Sequence, residues 1–192
     1  RQLIDQAPNI FVMGHSMPDM DAFGASLGIA RMAKNRGKTV NIVIDRSDAI
    51  TMPYEMAEKE NSYNFINEEY AKSIAAKEDL LIVVDTHKPS LTACPDLLDI
   101  IEKVVVIDHH RRGEEIIQNP ILIHLEPYAS SASELVTEMF QYVATEKKSI
   151  GKLEAEALLA GIAVDTKNFS VKTGVRTFDA ASWLRRQGAD TA

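Results

Sequence analysis

Three apolar runs that each end in a burst of carboxylates and imidazoles constrain this chain more than any other feature. Ile10-Phe11-Val12-Met13-Gly14 leads into His15, Asp19 and Asp21. Leu80-Leu81-Ile82-Val83-Val84 leads into Asp85 and His87, and Val104-Val105-Val106-Ile107 leads into Asp108-His109-His110. Unbroken Val/Ile/Leu runs of this length suit strands covered on both faces, the condition of a parallel sheet. In such sheets ligands gather at the carboxyl ends of the strands, where loops from separate strands converge. The pattern therefore predicts one cluster of Asp and His side chains, and that donor set suits hard or borderline divalent metals.

Strand and helix signals alternate along the chain, which predicts an α/β fold with a largely parallel sheet flanked by helices. Strands are expected over 9–14, 39–44, 80–84, 103–107 and 121–125. Ala22, Ala25, Ser26, Ile29 and Ala33 recur at helical spacing, with Gly37 as the stop. Gly24 and Gly28 on that helix predict close approach to the sheet. Further helices are expected over 67–76, 95–102, 153–164 and 177–186, the third of these delivering Asp165 at its end. Ser131-Ala132-Ser133-Glu134 reads as a capping box opening a helix with Leu135, Val136, Met139, Phe140 and Val143 on one face. Residues 47–64, polar and Met-rich, give no clear signal.

A length of 192 residues fits one ordinary domain, or one with a small appendage. The net charge of −7 excludes a basic field for long nucleic acids or anionic membranes. A polyanionic substrate would then need bound cations to approach. The single cysteine, Cys94, rules out an internal disulfide framework and reads as a packed thiol. No run approaches the ~18 apolar residues of a membrane span. The first residue is Arg1 rather than Met, which predicts a piece of a longer chain.

Taken singly, each candidate has an ordinary explanation. Asp21 could be a helix cap, Asp85 and Asp108 turn formers, His109-His110 surface residues. One shared site explains all of them together. His124, in an alternating strand, reads as structural, and His87 has no required role. Arg111 and Arg112 could meet a phosphate or be exposed loop charge. Ser130 and Ser131 read as a helix cap or a phosphate contact, Arg176 is undecided, and Trp183 belongs to the core.

The set His15-x-x-x-Asp19-x-Asp21, the strand-end Asp85, the triplet Asp108-His109-His110 and the later Asp165-Thr166 resembles the DHH phosphoesterase superfamily in motifs and order. Within it, Pro18-Asp19-Met20-Asp21-Ala22, Glu126-Pro127-Tyr128-Ala129-Ser130-Ser131 and Arg176-Thr177-Phe178-Asp179-Ala180-Ala181 are worded like the GdpP-type cyclic di-AMP phosphodiesterases. Ser16-Met17 departs from that wording, where a basic residue and Asn are usual.

The resemblance implies a two-metal hydrolase, with manganese the foremost metal. His15, Asp19 and Asp85 would hold one ion; Asp21, Asp85, His109 and Asp165 the other, with Asp85 bridging. Asp108 and His110 would be catalytic groups that orient ligands or meet the phosphate. Arg111, Ser130 and Ser131 would contact substrate. The implied reaction opens cyclic di-AMP to linear 5′-pApA with a metal-activated water. Sibling enzymes act on short oligonucleotides or pyrophosphate, and a non-catalytic metal- or nucleotide-sensing module is the alternative from another class.

The resemblance also implies that residues 1–192 form the DHH catalytic domain, followed beyond Ala192 by a DHH-associated substrate-binding domain. This stretch alone would then turn over weakly or not at all. The parent would be membrane-anchored with this domain in the cytoplasm, without direct membrane contact here, and could dimerise through its other parts.

Overall fold

The computed structural model describes residues 1–44, 54–55, 57, 63–143 and 150–190. Among them, the strands form one sheet: β1 (Ile10–Met13), β2 (Val40–Val43), β3 (Asn64–Ile66), β4 (Leu80–Val84), β5 (Lys103–Asp108) and β6 (Leu122–Leu125). Every pairing is parallel and the order is β3-β2-β1-β4-β5-β6. The helices are α1 (Gln2–Gln6), α2 (Met20–Lys34), α3 (Glu68–Ile74), α4 (Leu97–Ile100), α5 (Ala132–Val143), α6 (Lys152–Asp165) and α7 (Val175–Arg186).

The continuous apolar runs are explained by two cores, one on each face of the sheet. Successive strand residues point to opposite faces. Ile10, Val12, Leu80, Ile82, Val84, Val105 and Ile107 pack with Phe23, Leu27, Leu135, Phe140, Leu158 and Ile162 from the α2, α5 and α6 side. Phe11, Met13, Leu81, Val83, Val104 and Val106 pack with Ala71, Cys94, Leu97 and Ile101 on the other. Each such side chain, fully buried, contributes ~1.5–3 kcal/mol, so neither face tolerates a polar substitution in β1 or β4.

Asp19, not Asp21, is the N-cap of α2: its Oδ1 accepts from Ala22 N at 3.0 Å, and Asp21 is the second helical residue. The helix ends at Lys34 with Asn35 as its C-cap, a little before the expected stop; Gly37, two residues past the cap, takes a left-handed φ of 73° in the turn that follows. The close approach expected of Gly24 and Gly28 occurs, but towards helices rather than the sheet. A Cβ on Gly24 would meet the Ala157 backbone carbonyl of α6, and one on Gly28 would sit 2.6 Å from Val136 Cγ1 of α5. The reason is packing: α2 lies on β1, β2 and β4 with one side and meets α5 and α6 with another. Two small residues one turn apart open that second side to them.

The five-residue α1 and the three-residue β3 have no counterpart in the sequence reading, being shorter than the periods by which elements are recognised. Most of the unassigned region 47–64 lies outside the described residues. The strand expected over 121–125 is present as β6, an edge strand with Leu122 and Ile123 exposed and His124 turned to solvent. His124 is therefore neither core nor site. Trp183 does join the core, stacking on Phe140 at 6.2 Å between ring centroids. The side chain of Val143 lies outside the described residues.

Gly24→Ala should destabilise the fold by about 1–3 kcal/mol through overpacking against rigid backbone. A urea midpoint shifted down at constant slope would show it.

Candidate metal centre

The sheet order reverses at β1: the chain passes from β1 to β2 on one side, and later to β4 on the other. The loops after β1 and β4 therefore diverge at the carboxyl edge and leave a crevice, the place where ligands bind in open α/β sheets. The loop after β1 is tied to the one after β4 by Ser16 N to Leu91 O at 2.7 Å and Ala93 N to Gly14 O at 3.0 Å. His15 thereby lines a cavity of about 240 Å³ together with Asp85, Asp108, His110 and Arg111.

Four side chains from four elements converge beside this crevice. His109 Nε2 lies 3.3 Å from Asp85 Oδ1, 3.2 Å from Asp165 Oδ2 and 3.6 Å from Asp21 Oδ2. Asp21 comes from the first turn of α2 and Asp165 from the last residue of α6. Gly161, one turn before Asp165, permits the approach: a Cβ there would stand 3.0 Å from Asp21 Cα. Asp21 is fully buried, and its two oxygens accept from Ala132 N and Ser133 N, each at 2.8 Å, the opening amides of α5. A helix N-terminus is a favourable place for such a carboxylate.

Asp85 stands at the end of β4 with φ of 61°, a left-handed conformation that Asp adopts more readily than most residues. Its N–H donates to Ile107 O at 2.9 Å. Although both are buried, Asp85 Oδ1 and His109 Nε2 make no well-aligned hydrogen bond among the described residues: their mutual contact is close but poorly oriented. Unpaired buried polar atoms facing one another are costly unless something sits between them.

The electrostatics point the same way. Burial, then repulsion from Asp165, raises the Asp21 pKa. Burial, then repulsion from Asp21, raises that of Asp85 well above the usual carboxylate range. Burial alone would lower His109, but Asp165, Asp85 and Asp21 outweigh it and push the imidazole up to about 10. Metal-free, the cluster retains protons; a divalent cation would take their place. The donor set, oxygen with imidazole nitrogen, fits such an ion.

Asp108 does different work. Its Oδ2 meets His87 Nδ1 at 2.6 Å, and its Oδ1 meets His110 Nδ1 at 2.7 Å and His109 N at 2.8 Å. Burial would raise its pKa, but the bonds from His110 and His87 prevail and hold it at about 2. His87, to which the sequence reading gave no required role, is thus a buried anchor of the triplet. Its Nε2 accepts from Gly113 N at 3.2 Å, which leaves the proton on Nδ1 for Asp108. Its signal in the sequence was position, two residues beyond a strand-end Asp.

The remaining candidates are placed as follows. His15 is half-buried, and its Nδ1 accepts from Met17 N at 3.1 Å. Asp19 caps α2 and adds to the negative charge that raises Asp85. Arg111 is exposed at the cavity wall. Ser130 and Ser131 are completely buried and committed elsewhere, contrary to a substrate role. Ser131 Oγ caps Glu134 N at 3.0 Å, while Ser130 N and Oγ both donate to Glu134 Oε2. The Glu arm of the expected capping box therefore reaches back to Ser130, one residue earlier than the simple box. Arg176 is paired bidentately with Glu138 at 2.7 and 2.8 Å, a structural tie between α7 and α5.

Residues 9–162 match the family model described as the DHH family, N-terminal domain. The chain belongs to the DHH family. It is 47% identical, over its whole length, to the cyclic-di-AMP phosphodiesterase PdeA of Listeria monocytogenes and 48% identical to the cyclic-di-AMP phosphodiesterase GdpP of Bacillus subtilis. It spans 30% of the length of each. An exopolyphosphatase-related protein from Bacteroides fragilis shares the fold, with a TM-score of 0.81 at 22% identity over 98% of this chain and 55% of that one.

In the metal-free protein the His109 imidazole should titrate near pH 10 rather than 6.5. Because the folded value is the higher one, its proton stabilises the metal-free fold fully below about pH 6.5, and that contribution is lost as pH rises through about 10. Imidazole resonances followed by NMR would show this, and Asp165→Asn should bring the midpoint down.

Proposed function

We propose that the whole protein is a metal-dependent phosphodiesterase that hydrolyses cyclic di-AMP to linear 5′-pApA, with this DHH domain as its metal centre. The observation that carries the reading is the pair of buried atoms Asp85 Oδ1 and His109 Nε2, without a well-aligned hydrogen bond among the described residues, inside a ring of carboxylates. The substrate comes from the likeness to proteins named for cyclic di-AMP.

His15, Asp19 and Asp85 would hold one divalent ion, and Asp21, Asp85, His109 and Asp165 a second, with Asp85 shared. Imidazole in the donor set favours manganese or a similar borderline ion over magnesium. Such ions, when bound, neutralise phosphate charge and lower the pKa of a coordinated water. The chain's own residues supply the rest. Asp108, anchored from behind by His87, fixes the ring of His110 with its Nδ1 proton inward. His110 Nε2 is then the atom turned to the phosphate, and in the imidazolium form its own proton could pass to the departing ribose oxygen, leaving the ring neutral with Nδ1–H on Asp108. The buried walls formed by Thr86 and His87 limit water on that side.

No helix among the described residues is long and apolar enough to cross a membrane. The proposal places the substrate-binding domain, the membrane anchor and any dimer contact of the parent outside the DHH domain.

On the full-length protein with manganese, cyclic di-AMP should be opened in preference to linear diadenylate and pyrophosphate, with products resolved by chromatography. Preference for either of the other two would overturn the substrate. Asp85→Ala should weaken both manganese sites at least tenfold by calorimetry, since breaking a shared carboxylate removes a ligand from each. Retention of two full-affinity sites would refute the bridging role.

A further inference from the structure

A second cavity, of about 680 Å³, adjoins the metal centre and shares His110 and Arg111 with the first. Its far wall is formed by Pro127 and Tyr128, between β6 and α5, and by Lys172 and Thr173, between α6 and α7. The volume lies in the range of sites that take drug-sized molecules.

Basic side chains on α6 and α7 are engaged: Arg176 holds Glu138, Lys152 lies 3.6 Å from Glu156 and Arg185 3.5 Å from Asp190. Arg111 and Lys172 have no carboxylate partner among the described residues, and both face the cavity. On a chain of net charge −7, two uncommitted cations beside a phosphoesterase centre imply an anionic ligand. Tyr128 is 92% exposed, with no ring or hydrogen-bond partner among the described residues. A large aromatic ring left in water at a cavity mouth is available surface for a flat ligand.

Lys172 is also well placed mechanically. The segment before it folds back on Thr166, with Phe169 N donating to Thr166 Oγ1 at 2.9 Å and Val171 N to Thr166 O at 2.9 Å. Lys167, Asn168 and Phe169 all take left-handed backbone there, and Lys172 follows with φ of 51°. Thr166 directly follows Asp165, so Lys172 is held at a fixed offset from the metal centre.

We infer that this cavity receives the half of the dinucleotide that is not being cleaved, with Arg111 and Lys172 meeting the second phosphate and Tyr128 stacking on a base. The inference rests on the phosphodiesterase reading and adds to it where selectivity for a dinucleotide resides. A single-phosphate diester would engage the metal centre alone, whereas a two-phosphate ring would reach both cavities at once.

The test compares two substrates on the full-length, manganese-loaded protein: cyclic di-AMP and bis(p-nitrophenyl) phosphate. The ratio of their kcat/KM values should fall about tenfold in Tyr128→Ala and in Lys172→Gln, and Tyr128→Phe should restore it, since the ring rather than the hydroxyl is required. A parallel loss on both substrates, leaving the ratio unchanged, would overturn the inference. Calorimetric binding of 5′-AMP to the same proteins gives an arm independent of turnover, with about tenfold weakening expected in each of the two loss variants. Equal 5′-AMP affinity in wild type and variants, or none in the wild type, would also overturn it. If the wild type cleaves bis(p-nitrophenyl) phosphate but not cyclic di-AMP, the substrate reading fails, and the 5′-AMP titration still decides the subsite.

Discussion

The bond between Asp21 and the first amides of α5 is the constraint around which the rest of the molecule is arranged. A fully buried carboxylate costs several kcal/mol unless it is hydrogen-bonded and its charge is matched. Ala132 N and Ser133 N supply the hydrogen bonds, and the dipole of α5 supplies part of the charge. This fixes the N-terminus of α5 against the N-terminus of α2. Glu134, buried among Ser130, Ser131 and Thr177, then orients that first turn and ties it to α7. Gly161 lets α6 pass Asp21 closely enough for Asp165 to join the cluster. The bonds that pack the helical layer are therefore the same bonds that place the carboxylates.

Much of this was legible in the residues. The apolar run at 80–84 corresponds residue for residue to β4, because a strand buried on both faces must be apolar throughout. The ligand-rich strand ends marked the edge where the crevice lies. Three things were hidden for physical reasons. Gly24 and Gly28 signalled close packing, but a small-residue pair does not say whether a sheet or a helix lies opposite. Ser130 and Ser131 carry hydroxyls that suit a cap and a phosphate equally, and only burial separates the two uses. Tyr128 and Lys172 are remote in sequence from His110, so only the fold brings them to the cavity shared with it.

The acidic balance of the chain and its inferred polyanionic ligand are reconciled by where charge is left unpaired. Several described cations, among them Arg31, Arg36, Lys72 and Arg176, are paired with neighbouring carboxylates, which lowers the field they project. The carboxylates at the sheet edge are buried and crowded instead, and burial, then mutual repulsion, raises the pKa of Asp21 and Asp85. A site of this kind repels phosphate when empty and would attract it with divalent ions bound. Under the proposed function, metal loading would then be a precondition for substrate approach as well as for chemistry.

Strand alternation explains why the Asp-His-His triplet divides its labour. Along β5, Val104 and Val106 face the layer that holds Cys94 and Leu97, while Val105 and Ile107 face α2, α5 and α6. Continued for three residues, the same alternation sends Asp108 towards His87, sends His109 towards Asp21 and Asp165, and returns His110 to Asp108. By that rule Asp85, following Val84 of the α2 side, would belong wholly to the His87 side. Its left-handed φ breaks the alternation, so that one carboxylate oxygen stands 3.3 Å from His109 and 3.8 Å from His110, between the two sides. A carboxylate that would be shared between two ions, as proposed, has to sit where neither face of the sheet would put it, and the backbone strain at Asp85 is the local cost of that position.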